Sequence, residues 1–163
     1  MTTRLIGGLD RVVAAILAAG SWLLLPVVAL LFLQWPLREF AGHFSREAND
    51  LGQSLFALYV AMAFTAATRA HTHLAADAVA RTYSDATRAT IARLGALIGL
   101  VPWALFVLIA GGKFVIPSVR MLEAFPDTYN PGYFLIKLAL WVLAGLILLQ
   151  AIIDILRPRR GEA

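Results

Sequence analysis

Arg69, His73 and Asp77, in the segment RAHTHLAAD, are the residues whose types and spacing first invite a chemical reading. At i, i+4 and i+8 they advance about 40° per step on a helix and so share one face. A cation, an imidazole and a carboxylate in a row could dock or orient a partner. The same row could equally be an interfacial charge ladder that meets lipid headgroups. The three histidines, His43, His71 and His73, raise a second chemistry, bis-histidine haem ligation. His71 and His73 are two apart and do not share a helix face. His43 is expected on the opposite side of the membrane, so the geometry speaks against haem or a metal. The chain has no cysteine, which removes thiolate catalysis, disulfides, iron–sulfur ligation and CxxCH haem attachment. No G-x-S-x-G, H-E-x-x-H, P-loop or G-x-G-x-x-G pattern is present, and with them go the commonest routes to hydrolysis and nucleotide binding. We therefore expect no catalytic residue, no metal, no cofactor and no enzyme.

The elements that must hold these residues are membrane spans. Hydrophobic residues make up 60% of the chain, charged residues 15%, and the mean hydropathy is +0.76, against about half and about a quarter in soluble domains. The apolar residues gather in four blocks: Val12 to Leu33, Leu51 to Thr68, Leu94 to Gly112 and Tyr133 to Leu156. The first reaches about 33 Å as a helix, enough for a hydrocarbon core of about 30 Å. It is too long for the apolar core of a signal peptide, and Trp35-Pro36-Leu37-Arg38 follows it instead of a small-residue cleavage site. The expected fold is all-α: one integral membrane domain over 1–163 with four transmembrane helices. A net charge of +4 could suggest nucleic acid, but the basic residues flank the apolar blocks rather than forming a stripe, so lipid is the expected contact and nucleic acid is not.

The connectors add detail. Pro36 suits a helix start, and Leu37, Phe40, Ala41 and Phe44 recur at helical spacing beside Arg38, Glu39 and Arg46, which predicts a short interfacial helix between the first and second spans. Leu74, Ala78 and Val79 continue the helical pattern past the second span, and Ser84-Asp85 reads as an N-cap restarting a helix. Asn130-Pro131-Gly132 is turn chemistry before the fourth span. With the N-terminus inside, the inner flanks hold Arg4, Arg11, Arg69, Arg81, Arg88, Arg93, Arg157, Arg159 and Arg160. The outer side then holds Arg38, Arg46, Lys113, Arg120 and Lys137. The imbalance predicts an N-in, C-in topology.

No Asp, Glu, Lys, Arg or His falls in the middle of any span. Intramembrane charge usually marks a substrate or ion pathway, and carriers place their sites near the midplane on interrupted helices. Its lack points to a partner subunit, with no substrate-binding residues expected in this chain. Pro26 and Pro102 can kink the first and third spans. Gly95 and Gly99 form a GxxxG pair for helix packing, and Ala15/Ala19 and Ala57/Ala61 are small-xxx-small pairs. Trp35, Tyr129 and Tyr133 fit an outer aromatic belt, whereas Trp22, Trp103 and Trp141 lie deeper, where packing or lipid contact is expected.

The segment RAHTHLAAD resembles the R-xxx-H-xxx-D signature that closes the second span in DctQ-like small permease subunits of tripartite ATP-independent periplasmic (TRAP) transporters. The resemblance runs from about Arg11 to Arg157. It takes in Asn49-Asp50-Leu51-Gly52-Gln53, Val101-Pro102, Ser118 with Glu123, Pro131-Gly132 followed by Lys137, and Leu149-Gln150-Ala151 before Asp154. Two departures are Met62-Ala63-Phe64-Thr65-Ala66, where the family often has a Leu-Gly step, and the extra His71. The resemblance implies that Arg69, His73 and Asp77 form a docking or structural cluster and that Gln53, Glu123, Lys137, Gln150 and Asp154 are family-like polar positions. It implies a bacterial inner-membrane protein partnered by a large, DctM-like permease subunit, which carries the substrate and sodium sites. A periplasmic solute-binding protein would act through the complex, and the substrate would be an organic acid. A small homo-oligomeric carrier or efflux protein and a haem-binding membrane anchor remain as other classes.

Overall fold

The computed structural model describes residues 2–42, 45–70 and 82–156, with side chains from residue 6 onward. Helix α1 spans Thr2–Ser21, α2 Leu24–Ala41 and α3 Arg46–Ala70. Helix α4 spans Asp85–Gly95 and passes through a π-helical segment, Ala96–Leu100, into α5, Val101–Arg120; α6 spans Tyr133–Leu156. The described residues contain no strand, only an isolated antiparallel bridge between Ala124 and Pro131. Among the described residues, four helical stretches are long and apolar enough to cross a membrane: Ile6–Ala41, Arg46–Ala70, Asp85–Arg120 and Tyr133–Leu156.

Two of these stretches, the first and third, run for 36 residues. That is about 54 Å of helix, well beyond the hydrocarbon, so they tilt or reach past it. Each is divided by a proline, and the two divisions differ. Pro26 has no N–H for the Trp22 carbonyl. The chain answers by tightening: Trp22, Leu23 and Leu25 donate to Ala19, Gly20 and Trp22, three residues back, which separates α1 from α2. Pro102 would leave the Ile98 carbonyl in the same position, and there the chain widens instead, with the Val101 N–H reaching back five residues to Ala96.

The segment expected to form a separate interfacial helix is continuous with α2 as far as Ala41. Pro36 stands inside that helix, and Gly42, in the left-handed conformation at φ 62°, ends it. Phe44 and the Leu74, Ala78 and Val79 pattern lie outside the described residues. Ser84 caps α4 as its sequence predicts, accepting from the Thr87 N–H.

Packing makes an open row of neighbours. The first span packs on the second, the second on the fourth, and the fourth on the third, with α1 also touching α6. The middle pair therefore carries most of the buried residues: Ser54, Ala61, Thr65 and Thr68 on α3, and Ala139, Ala144, Leu146, Ile147, Gln150, Ala151 and Ile153 on α6. The hydroxyls buried in α3 bond backward within their own helix, Thr65 to the Ala61 carbonyl at 2.9 Å and Thr68 to Phe64 at 2.9 Å, so they present no free polar atom to lipid. Outward faces carry large apolar side chains such as Phe106, Ile109 and Phe114.

A small residue acts at one contact that the sequence did not single out. A Cβ at Gly20 would stand 2.8 Å from Met62 Cβ, so α1 approaches α3 there at a distance that only glycine permits. The Trp141 ring lies against α5 beside Gly111 and Gly112, where its indole N–H donates to the Leu108 carbonyl at 2.9 Å. This contact is worth roughly 1 kcal/mol beyond the area it buries. Gly95 and Gly99, the expected packing pair, are exposed, and an added Cβ at either would meet nothing. They pack no described helix of this chain.

Candidate functional site

An even number of spans places the end of α6 beside the start of α1, and polar side chains meet at that end. Arg69, in the last turn of α3, sits where a cation complements the helix C-terminus. Its guanidinium forks onto the Asp10 carboxylate of α1, with Nη1 2.8 Å from Oδ1 and Nη2 2.9 Å from Oδ2. Nη1 also lies 3.4 Å from the Asp10 carbonyl and 3.4 Å from Gln150 Oε1 on α6. Gln150, 1% exposed, turns its Nε2 to Asp154 Oδ1 at 2.9 Å. One arginine thus ties three helices, and the bidentate geometry fixes orientation as well as distance. The two charged side chains keep about a quarter of their surface exposed, so neither bears the full desolvation cost of a buried ion.

The predicted row of Arg69, His73 and Asp77 is only partly open to inspection. His73 and Asp77, with His43 and His71, lie outside the described residues. Arg69 is brought together with Gln150, which itself contacts Asp154, two positions separately marked in the sequence. Asp10 was missed. Its signal was present in retrospect: an acid at the very edge of an apolar block, where an uncompensated carboxylate is costly.

The opposite end is organised around the loop between α5 and α6. After Arg120 the chain turns through Leu122, at φ 47°, and the Glu123 N–H returns to the Ser118 carbonyl at 3.0 Å. Phe125 and Asn130 pair across the loop at 2.8 Å. The Glu123 carbonyl takes N–H groups from Gly132 and Phe134 at the start of α6. Gly132 adopts φ 150°, and a Cβ there would stand 3.2 Å from the Phe125 ring, so both conformation and space call for glycine.

Two carboxylates fasten this loop. Glu123 accepts from the Ser118 hydroxyl and from Lys137 Nζ at 2.5 Å. The Lys137 hydrogen bond, and after it that of Ser118, holds the Glu123 carboxyl below its ordinary value near 4.5. Lys137 also lies 5.2 Å from the Tyr133 ring centroid, and Tyr133 meets Phe125 edge to face. Asp50, buried in the first turns of α3, accepts from Thr128 Oγ1 at 2.5 Å and from Asn130 Nδ2 at 3.5 Å. Ser54 donates to the Asp50 carbonyl and toward the Gly132 carbonyl. Beside these bonds opens a cleft of about 550 Å³, lined by Arg46, Asn49, Gln53, Pro126, Asp127 and Tyr133 among others. Gln53 therefore faces the cleft rather than a helix partner. The described residues include no group of three or more His, Asp or Glu that could hold a metal ion.

Both ends thus carry cross-links between elements of this chain. The stretch between them is mostly apolar, with Thr65 and Thr68 bonded within their own helix and the Gln34 Nε2 buried without a partner among the described residues. A family model described as the DctQ component of tripartite ATP-independent periplasmic transporters matches residues 27–161. No match was found among curated proteins or among solved structures.

Proposed function

This chain belongs to the DctQ-component family of tripartite ATP-independent periplasmic transporters and is a small, multi-pass membrane subunit of such a transporter; we propose that it serves as a scaffold for the large permease subunit. In this reading the large, DctM-like subunit performs sodium-coupled uptake of an organic acid delivered by a periplasmic binding protein. The chain lies in the bacterial inner membrane with both termini in the cytoplasm. The Asp10–Arg69–Gln150–Asp154 end then faces inward and the Glu123–Lys137 loop faces outward.

The observation that supports the scaffold role is where the charge is spent. The charged hydrogen bonds described above join this chain's own helices and loop at the two ends, while buried hydroxyls between them bond to their own backbone. Such an arrangement stiffens a platform, whereas carriers place unspent ionisable groups near the midplane. The exposed apolar faces of the first and third spans offer surface to lipid and to the large subunit.

Reconstitution tests the reading directly. Proteoliposomes holding the small subunit alone should show no sodium-dependent uptake, and those holding both membrane subunits with the binding protein should. Sodium-driven transport by the small subunit alone would overturn the scaffold role. Topology is tested by single cysteines introduced at Ser84 and Asp127: a membrane-impermeant thiol reagent applied to intact spheroplasts should label only the second.

A further inference from the structure

The third span is built in two unequal halves. Its second half, α5, is fixed to α6: Ala104, Gly112, Val115 and Ser118 are buried, Trp141 bonds the Leu108 carbonyl at 2.9 Å, and Ser118 reaches Glu123. Its first half, α4, has no buried residue. Among the described residues, its substantial packing is only with the π-helical segment that continues it. Ile91, Leu94, Leu97 and Ile98 are all at least half exposed. The boundary between the halves is where the backbone register changes. Ala96 donates to both the Ala92 and Arg93 carbonyls, Val101 reaches back to Ala96, and Pro102 cannot donate at all. Gly95 precedes this segment and Gly99 lies within it, each with nothing within 4 Å of where a side chain would stand.

From these observations we propose that Ala96–Leu100 is a hinge, about which α4 swings while α5 stays docked on α6. A π-helical turn is a place where one carbonyl partner can be exchanged for another at little cost, as the Ala96 N–H shows with two acceptors within reach. The missing Pro102 N–H removes the bond that would otherwise clamp Ile98 to the docked half. Side-chain packing resists bending where side chains are buried: the π-helical segment touches α6 and buries Ala96, whereas α4 buries no residue and packs substantially on no other described helix. The arm that moves carries the Asp85–Arg88 pair, 2.6 Å apart, and its own N-cap, so it remains a helix as it moves. The proposal concerns this chain alone and stands or falls separately from the scaffold role.

The chain lacks cysteine, so spin labels can be placed cleanly on the full-length protein in nanodiscs. One pair joins the arm to the fixed helix, Ala86→Cys with Ile152→Cys. A reference pair, Phe106→Cys with Ile152→Cys, starts on the docked side of the segment. The arm pair should give a distance distribution about twice as wide as the reference pair in pulsed dipolar spectroscopy. Pro102→Ala, which restores the N–H to the Ile98 carbonyl, should narrow the arm pair to the reference width. Equal widths in the unsubstituted background would overturn the hinge. So would an arm distribution that stays wide after Pro102→Ala, since the motion would then arise elsewhere.

Discussion

At one end of this bundle, the Arg69 side chain joins α1, α3 and α6; at the other, Glu123 and Asp50 fasten a loop onto helices. Both networks bridge residues far apart in the chain, 59 and 81 positions at the first and 78 and 80 for the Asp50 bonds at the second. What differs is that no bonded loop among the described residues backs the first, so its loss loosens whole helices. At the second, the loop's own backbone bonds hold much of the shape, with the Glu123 carbonyl receiving two N–H groups and Phe125 paired to Asn130. Removing a side chain there loosens a turn rather than a helix. A membrane platform thus depends most on its polar side-chain tie where no bonded loop backs it, because lipid supplies no hydrophobic force between helices.

The largest effect is expected at the three-helix tie. Arg69→Ala should lower the stability of the purified subunit by roughly 2 to 3 kcal/mol, since it removes the bidentate bond to Asp10 and the bond to Gln150 Oε1 at once. Thermal unfolding in detergent would measure it. Asp10→Ala should cost nearly as much, and the double substitution should cost clearly less than the sum; full additivity would mean the two do not act as a pair. Co-purification with the large subunit should fall in the same order, and unchanged assembly in Arg69→Ala would confine the network to internal stability.

Next in size comes Gly132→Ala, at roughly 1 to 2 kcal/mol, from the unfavourable φ and the contact with Phe125. Its effect should be local: faster proteolysis of the loop between α5 and α6, with the inner end unaffected. Equal loosening of both ends would show that they are coupled. Trp141→Phe should cost about 1 kcal/mol, the lost bond to Leu108, and because it lies between the ends it should disturb both slightly.

The smallest effect is expected at Glu123, and it depends on pH. Its carboxyl titrates below the ordinary value near 4.5 when folded. The ion pair with Lys137 therefore contributes fully above that ordinary value, and its contribution is lost as pH falls through the lowered one. Loop proteolysis should rise on acidification within that window and lose that rise in Glu123→Gln. An unchanged acid response in the variant would assign it to another group.

Hydropathy marked the four spans well because lipid compatibility is a local property of composition. The fourth span, read as Tyr133 to Leu156, is the helix Tyr133–Leu156 itself. The second, read as Leu51 to Thr68, lies within Arg46–Ala70. The first and third, Val12 to Leu33 and Leu94 to Gly112, likewise lie within longer helical stretches, Ile6–Ala41 and Asp85–Arg120, because a helix can continue past its apolar block. Residue type also marked Arg69, Gln150, Glu123, Lys137 and Asp154 as polar positions of interest, through resemblance more than through spacing.

What the sequence determined by itself is the number of spans, their apolar interiors and the family, each carried by short-range pattern. Tertiary structure alone decided who pairs with whom. Asp10 became the partner of Arg69 because α1 packs beside α3 in one rotational register, and no one-dimensional period encodes that phase. The same holds for the glycines: Gly95 and Gly99 match the packing pattern yet face outward, while Gly20 and Gly112 meet a neighbouring helix. A small residue permits close approach wherever it occurs, and only the arrangement of helices determines where an approach takes place.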